Sequence, residues 1–201
     1  MQSISIMNPA LPITPGDHRR WAALPGSGLS LALAGVGTKH SGPVVVITAN
    51  TEEADAIRRE LGFFCPDDGS IPMYALPDWE TLPYDNFSAH QDIVSDRLST
   101  LANLPGLKRG ILVVPLTSLM HRLCPLEYVT GNSLMLKVGG QFQPDAMRRK
   151  LLSAGYQCVD SVHEHGEFAV RGAIMDIYPM GSEEPYRIDL FDDEIESLRI
   201  F

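Results

Sequence analysis

HGEFAVRGAIMDIYPMGSEEPYRIDLFDDEIESLRIF, residues 165–201, is the stretch whose reading decides the second half of the fold. Phe168 to Tyr178 is mostly apolar and β-branched and reads as one strand. Pro179, Met180, Gly181 and Ser182 form a turn cluster, since Pro presets φ and Gly tolerates the left-handed backbone. Tyr186 to Phe191 alternates, so Tyr186, Ile188 and Leu190 share one face while Arg187, Asp189 and Phe191 share the other. Asp192 and Asp193 open a second turn, and Ile195 to Phe201 can return as a third strand. The expectation is an antiparallel meander with one buried face. Its other face carries Arg187 beside Phe191. A cation next to an unburied aromatic often marks a protein-binding patch. An ordinary solvated strand face explains the same residues, and composition alone favours that plainer reading.

Working outward, the 201 residues suffice for one large domain or two small ones, and 44% hydrophobic with 20% charged residues is globular. The net charge of −9 is spread along the chain: up to Gly131 there are 9 Lys+Arg against 13 Asp+Glu, and beyond it 7 against 12. Neither part offers the basic field of a nucleic-acid-binding domain, so weak duplex binding at most is expected. The N-terminus lacks the regions of a signal peptide, and no apolar run approaches membrane-spanning length. Cys65, Cys124 and Cys158 are odd in number and widely spaced, which suits reduced thiols in a cytoplasmic protein and not a disulfide framework or a zinc site. The chain stops at Phe201 inside an apparent strand, so a fragment of a longer protein is expected.

Upstream, strands and helices alternate. PVVVIT, residues 43–48, reads as a buried parallel strand, and Asn50 with Glu53 caps a helix whose stripe is Ala54, Ile57 and Leu61, with Gly62 closing it. A short helix is expected within LSLALAGV, residues 29–36, and a strand over Ile71 to Leu76. Ser88 with Gln91 reads as a capping box for a helix from Ala89 to Leu104 with stripe Val94, Leu98 and Leu101. Gly110 to Val114 is a further buried strand, and Thr117 a cap for a short helix ending near Leu123. This pattern predicts a parallel α/β sheet up to about Gly131. Beyond it the pattern changes: a strand over Ser133 to Val138, a helix opened by Pro144 and Asp145 and stopped at Gly155, a strand over Tyr156 to Val162, then the meander. The fold class expected is α/β, with a domain over 1–131 followed by a smaller α+β domain over 132–201 carrying an antiparallel sheet.

GEFAVRGAIMDIYP followed by PYRIDLFDDEIESLRIF resembles the UvrB family. Together with LPDWETLPYDNFSAHQDIVSDRLSTL and RGILVVP, these stretches are more similar to the UvrB-like N-terminal module of the transcription-repair coupling factor (Mfd) family, over roughly Pro43 to Phe201. The resemblance implies that the first domain is a degenerate helicase-like, P-loop NTPase-type half. It implies that the second recruits UvrA to stalled transcription complexes. ATP with Mg²⁺, translocase activity, RNA polymerase and duplex DNA would then belong to other domains of the full-length protein. Arg171, Arg187 and Phe191 match the family's UvrA-contacting motif. On a three-strand reading, the turn at 179–182 would bring Arg171 close to Phe191, and truncating Arg187 or Phe191 should weaken UvrA binding without changing stability. The alternative is a catalytically active UvrB-like ATP-dependent DNA-handling domain.

Two departures from UvrB count against that alternative. A phosphate-binding loop needs backbone N–H groups exposed by glycines, then a Lys and a hydroxyl opening a helix. GSGLSLALAGVGTKHSG, residues 26–42, is the Gly-rich candidate, and no GxxxxGK[ST] can be laid on it. No catalytic residue, cofactor or metal is therefore expected in this chain. In addition, Tyr84-Asp85-Asn86-Phe87 runs straight into the helix at Ser88, leaving no room for UvrB's DNA-probing hairpin. The remaining candidates have plainer readings. Asp192 to Glu196 is a solvated turn. His163 and His165 would share a strand face without a third metal ligand. Arg148, Arg149 and Lys150 lie on an exposed helix face. Trp79, Tyr84 and Phe87 lack the basic surroundings of a base-stacking platform, and packing against a neighbouring domain is preferred.

Overall fold

The computed structural model describes residues 6–7, 9–21, 23–66, 68–82, 84–133 and 135–201. In chain order these form α1 (Gly28–Lys39), β1 (Pro43–Thr48), α2 (Thr51–Phe64), β2 (Met73–Ala75), α3 (Gln91–Asn103), β3 (Gly110–Pro115), α4 (Leu116–Met120), α5 (Leu126–Asn132), α6 (Pro144–Ser153), β4 (Gln157–Cys158), β5 (Glu167–Arg171), β6 (Ile174–Ile177), β7 (Tyr186–Phe191) and β8 (Glu194–Ile200). They fall into two compact units that exchange chain: residues 1–78 with 104–122, and residues 79–103 with 123–201. Gly131, read as a boundary, lies within α5.

The first unit is built on a parallel three-stranded sheet of order β1-β3-β2. The central strand β3 is buried along its whole length, as expected for a parallel strand with neighbours on both sides. It starts at Gly110 because that backbone, at φ +149°, would put a Cβ 2.5 Å from the Pro72 carbonyl oxygen. β1 is an edge strand instead of a fully buried one: Val45 and Ile47 are more than half exposed, while Val44 and Val46 pack on the core. That core joins Leu33 and Ala34 of α1, Ala54, Ile57 and Leu61 of α2, Ile111 and Val113 of β3, and Cys65 and Ile71. The Asn50 cap forms as read, its side-chain oxygen accepting from Glu53 N at 2.8 Å, and Glu53 accepts in turn from Ala49 N at 3.0 Å. Gly62 does not end α2, which runs on to Phe64. Thr117 is no cap either. α4 starts from Pro115, and the Thr117 hydroxyl donates to the Asp78 carboxylate.

The second unit carries a five-stranded sheet of order β4-β5-β6-β7-β8. It corrects the expected antiparallel sheet to a mixed one: β4 runs parallel to β5, and the other pairs are antiparallel. The single strand read over Phe168 to Tyr178 is two strands, because Gly172 adopts φ +59° and folds β5 back onto β6. The strand expected over Tyr156 to Val162 shrinks to Gln157–Cys158. The one expected over 133–138 is not formed by residues 135–138, where Met135 and Val138 are exposed; residue 134 lies outside the described residues. Instead Gly139 and Phe142 donate to Ile195 and Asp193 of the β8 side.

α3 departs most from its sequence reading. It starts at Gln91, so Ser88 lies too far out to cap it, and His90 Nδ1 accepts from Asp92 N at 3.3 Å. Its fully buried residues are Ser95, Arg97 and Thr100, while the apolar stripe Val94, Leu98 and Leu101 is only half-buried. A polar face can be buried when its groups are satisfied. Ser95 Oγ accepts from Gly181 N at 2.8 Å, and the Arg97 guanidinium lies 4.1 Å from the Trp79 ring centroid. The sheet's apolar face packs Phe168, Met175, Ile177, Ile188, Leu190 and Ile195 against Leu151 of α6 and Phe142.

Candidate protein-interaction face

The register of the five-stranded sheet sets Ala169, Asp176, Arg187 and Arg199 in one cross-strand row, on the face turned away from the apolar core. Arg171, Ile174, Asp189 and Ser197 make the neighbouring row. Phe191 follows on the same face of β7 and is 70% exposed. A bulge on β8 between its pairings to Asp189 and Leu190 restores the alternation there.

Asp176 organises the centre. Its side chain is 3% exposed, and arginines approach it from the strands on both sides. Arg187 forks onto it from β7, Nε donating to Oδ1 and Nη2 to Oδ2, each at 2.7 Å. Arg171 Nη2 approaches Oδ2 from β5 at 3.9 Å and donates to the Asp160 carbonyl oxygen. These hydrogen bonds and the charge of Asp176 push the Arg187 guanidinium further above its usual range, so it stays protonated. The ring of Phe201 lies 4.9 Å from the Arg187 carbon. Arg187 and Arg199 face each other directly, and their repulsion is relieved because Arg199 turns to Asp189, with Nη2 at 2.6 Å.

The Ser197 hydroxyl above all, then Arg199 and Arg187, hold the Asp189 carboxyl below the usual carboxylate range against the opposing effect of burial. A carboxyl whose folded pKa is depressed adds stability above its unfolded value of about 3.9 and loses it as pH falls through the folded value. The melting temperature of the wild type should therefore exceed that of Asp189→Asn by a margin that is full above about pH 5 and closes below about pH 4. Thermal melts of both proteins between pH 2 and 6 check this; a margin that widens in acid contradicts it.

The three residues singled out from sequence share the outer face, but not as expected. Arg171 is not brought beside Phe191. β6 lies between their strands, Arg171 pairs with Ile174, and Phe191 pairs with Glu194. Arg187 is not free either, since its fork is closed on Asp176. Asp176 itself was passed over in the sequence. Its signal was there: a carboxylate inside the apolar run AIMDIY has to be paired if it is buried. The other candidates lie elsewhere. His163 and His165 sit in the loop before β5 and not on a strand. His165 contacts Asp92 Oδ1 and the Ser182 carbonyl oxygen, each at 2.9 Å, and stacks on Tyr178. Tyr84 and Phe87 are exposed.

Comparison with known proteins meets this face. A model of the UvrB interaction domain matches residues 134–201, which include all five strands of the mixed sheet. The chain is 48% identical over 191 residues to the transcription-repair-coupling factor of Escherichia coli (strain K12), covering 95% of this chain and 16% of that protein. It is 44% identical over 198 residues to the Haemophilus influenzae factor, covering 98% and 17%. It is 32% identical over 180 residues to that of Bacillus subtilis (strain 168), covering 90% and 15%. Residues 134–201 thus resemble the UvrB interaction domain, and most of the chain is similar to one segment of the transcription-repair-coupling factors, of whose length it spans only about a sixth. The similarity also reaches further upstream than Pro43, where the sequence reading began it.

Proposed function

We propose that this chain recruits UvrA, through the outer face of the mixed sheet, in transcription-coupled nucleotide excision repair. The observation that carries the reading is the coincidence of the UvrB interaction domain match with a face that exposes Phe191, Arg171, Arg187 and Arg199 on an acidic chain. Arg171 and the Nη1 edge of Arg187 offer charged donors suited to carboxylates, and Phe191 an apolar anchor. Such a contact is charge-assisted, so UvrA should bind this chain less tightly as salt rises from about 50 to 500 mM, where screening shortens to a few ångströms. Calorimetric titration of UvrA at several salt concentrations tests this. No binding at low salt sinks the reading.

In the same reading the first unit is a degenerate helicase-like half that neither binds nor hydrolyses ATP. Its Gly-rich stretch forms α1, whose first turn meets a carboxylate: Ser27 and Ser30 donate to Glu60 at 2.8 and 2.6 Å. Those serines hold the Glu60 carboxyl below its usual range, so it remains an anion where a phosphate would sit. Lys39 stands at the far end of the helix. Titration with ATP–Mg²⁺ should give no saturable heat at micromolar concentrations, and a saturable isotherm contradicts this. ATP and Mg²⁺, RNA polymerase and duplex DNA belong to the remaining length of a full coupling factor in the bacterial cytoplasm. Among the described residues no helix is long and apolar enough to cross a membrane.

A further inference from the structure

We infer that Asp176 is a positioning residue of this face, a buried carboxylate that holds Arg187 and Arg171 ready for a carboxylate-bearing protein surface. The inference rests on the UvrA reading above and adds to it a residue that cannot itself touch the partner. With its side chain 3% exposed, Asp176 has no surface to offer, whereas the side chains of Arg187 and Arg171 are 32% and 53% exposed. Both Asp176 oxygens face guanidinium nitrogens, from strands on either side of β6.

The chemistry of the fork explains what this achieves. Arginine carries several rotatable bonds, and fixing it at the moment of docking costs affinity. On this face that cost is met during folding, because the buried carboxylate sets the rotamer of Arg187 before any partner arrives. The fork uses Nε and Nη2 and leaves Nη1 outside it. One carboxylate between two guanidiniums leaves a net positive charge, so the pairing fixes geometry without cancelling the attraction for an acidic surface. Phe201 adds a ring beside Arg187, and Asp160 a carbonyl to Arg171.

The test is Asp176→Asn, which keeps the shape and removes the charge. Its fold is checked by circular dichroism, and UvrA affinity is measured at low salt well below its melting temperature. About tenfold weaker binding is expected, because the arginines no longer start in place. A double-mutant cycle separates positioning from a separate loss: Asp176→Asn on top of Arg187→Lys should cost little more than Arg187→Lys alone. Wild-type or tighter binding by Asp176→Asn, or losses that multiply in the cycle, overturns the inference. Phe191→Ala and Arg171→Ala distinguish the two levels. If both bind like wild type, the face itself is misassigned and the inference falls with it. If both lose binding and Asp176→Asn does not, only the role of Asp176 fails. Should Asp176→Asn not fold, solvent exchange of the Arg187 Nε–H in the wild-type chain decides, with slow exchange expected and exchange as fast as an open arginine's overturning the fork.

Discussion

Arg187→Ala is expected to lower the melting temperature by on the order of 5–10 °C, against the sequence-level expectation that an outer-face arginine could be removed freely. The reason is the asymmetry of the pair. Arg187 can be hydrated when its partner is lost, but Asp176 cannot, because its side chain is 3% exposed. Removing the guanidinium strands a carboxylate against buried neighbours, with Arg171 still 3.9 Å away as the closest compensating charge. Taking out both members should recover part of the loss, since replacing a buried pair by apolar groups is often close to neutral. Melts of Arg187→Ala and of Asp176→Ala/Arg187→Ala, at one pH and salt, check both statements. If the single variant melts like wild type, the fork contributes nothing in solution. The practical consequence is that a binding defect in Arg187→Ala is not clean proof of contact.

Phe191→Ala should give the cleaner and larger binding effect: about thirtyfold weaker UvrA binding with an unchanged melting temperature. The ring is 70% exposed on the outer face, so its loss opens no cavity, and a partner that covers it loses an apolar anchor. Ile188→Ala is the contrasting control. Ile188 is 1% exposed in the core with Met175 and Phe168, and its truncation should cost about 2–5 kcal/mol of stability through lost burial and the cavity left behind. Paired melting and UvrA titrations of the two variants should show opposite profiles. Wild-type affinity in Phe191→Ala would move the interface elsewhere; a collapsed melt would return Phe191 to the core.

What could be read from the sequence was whatever local periodicity controls. The alternation of Tyr186 to Phe191 assigned both faces of β7 correctly, and the Asn50–Glu53 pairing started α2 where the chain starts it. Arg187 and Phe191 share a face for the same reason, whereas Arg171 joins them only through the register of β5 and β6 with β7. What escaped depends on partners distant in sequence. Nothing local in QDIVSDRLSTLAN says that Ser95, Arg97 and Thr100 face inward, since their burial is licensed by Trp79 and Gly181. The division of Phe168 to Tyr178 turned on a single glycine in a run of strand formers. The closure of Arg187 on Asp176 needed the cross-strand register, which only the completed sheet defines.

The path of the chain has a consequence for how the protein is made. It passes between the two units three times, and the central strand β3 is the last strand of its sheet to be synthesised. On the ribosome, β1 and β2 therefore have no strand to join until residues 110–115 have emerged. α3 is delivered still earlier relative to its partners: Ser95 waits for Gly181, and Asp92 for His165, some seventy to ninety residues later. The residues it buries fully are polar, with Val94, Leu98 and Leu101 half-buried beside them, so until its partners emerge the helix exposes both polar groups and part of an apolar stripe. The long delay between α3 and its partners makes this helix the part of its unit that waits longest for its contacts.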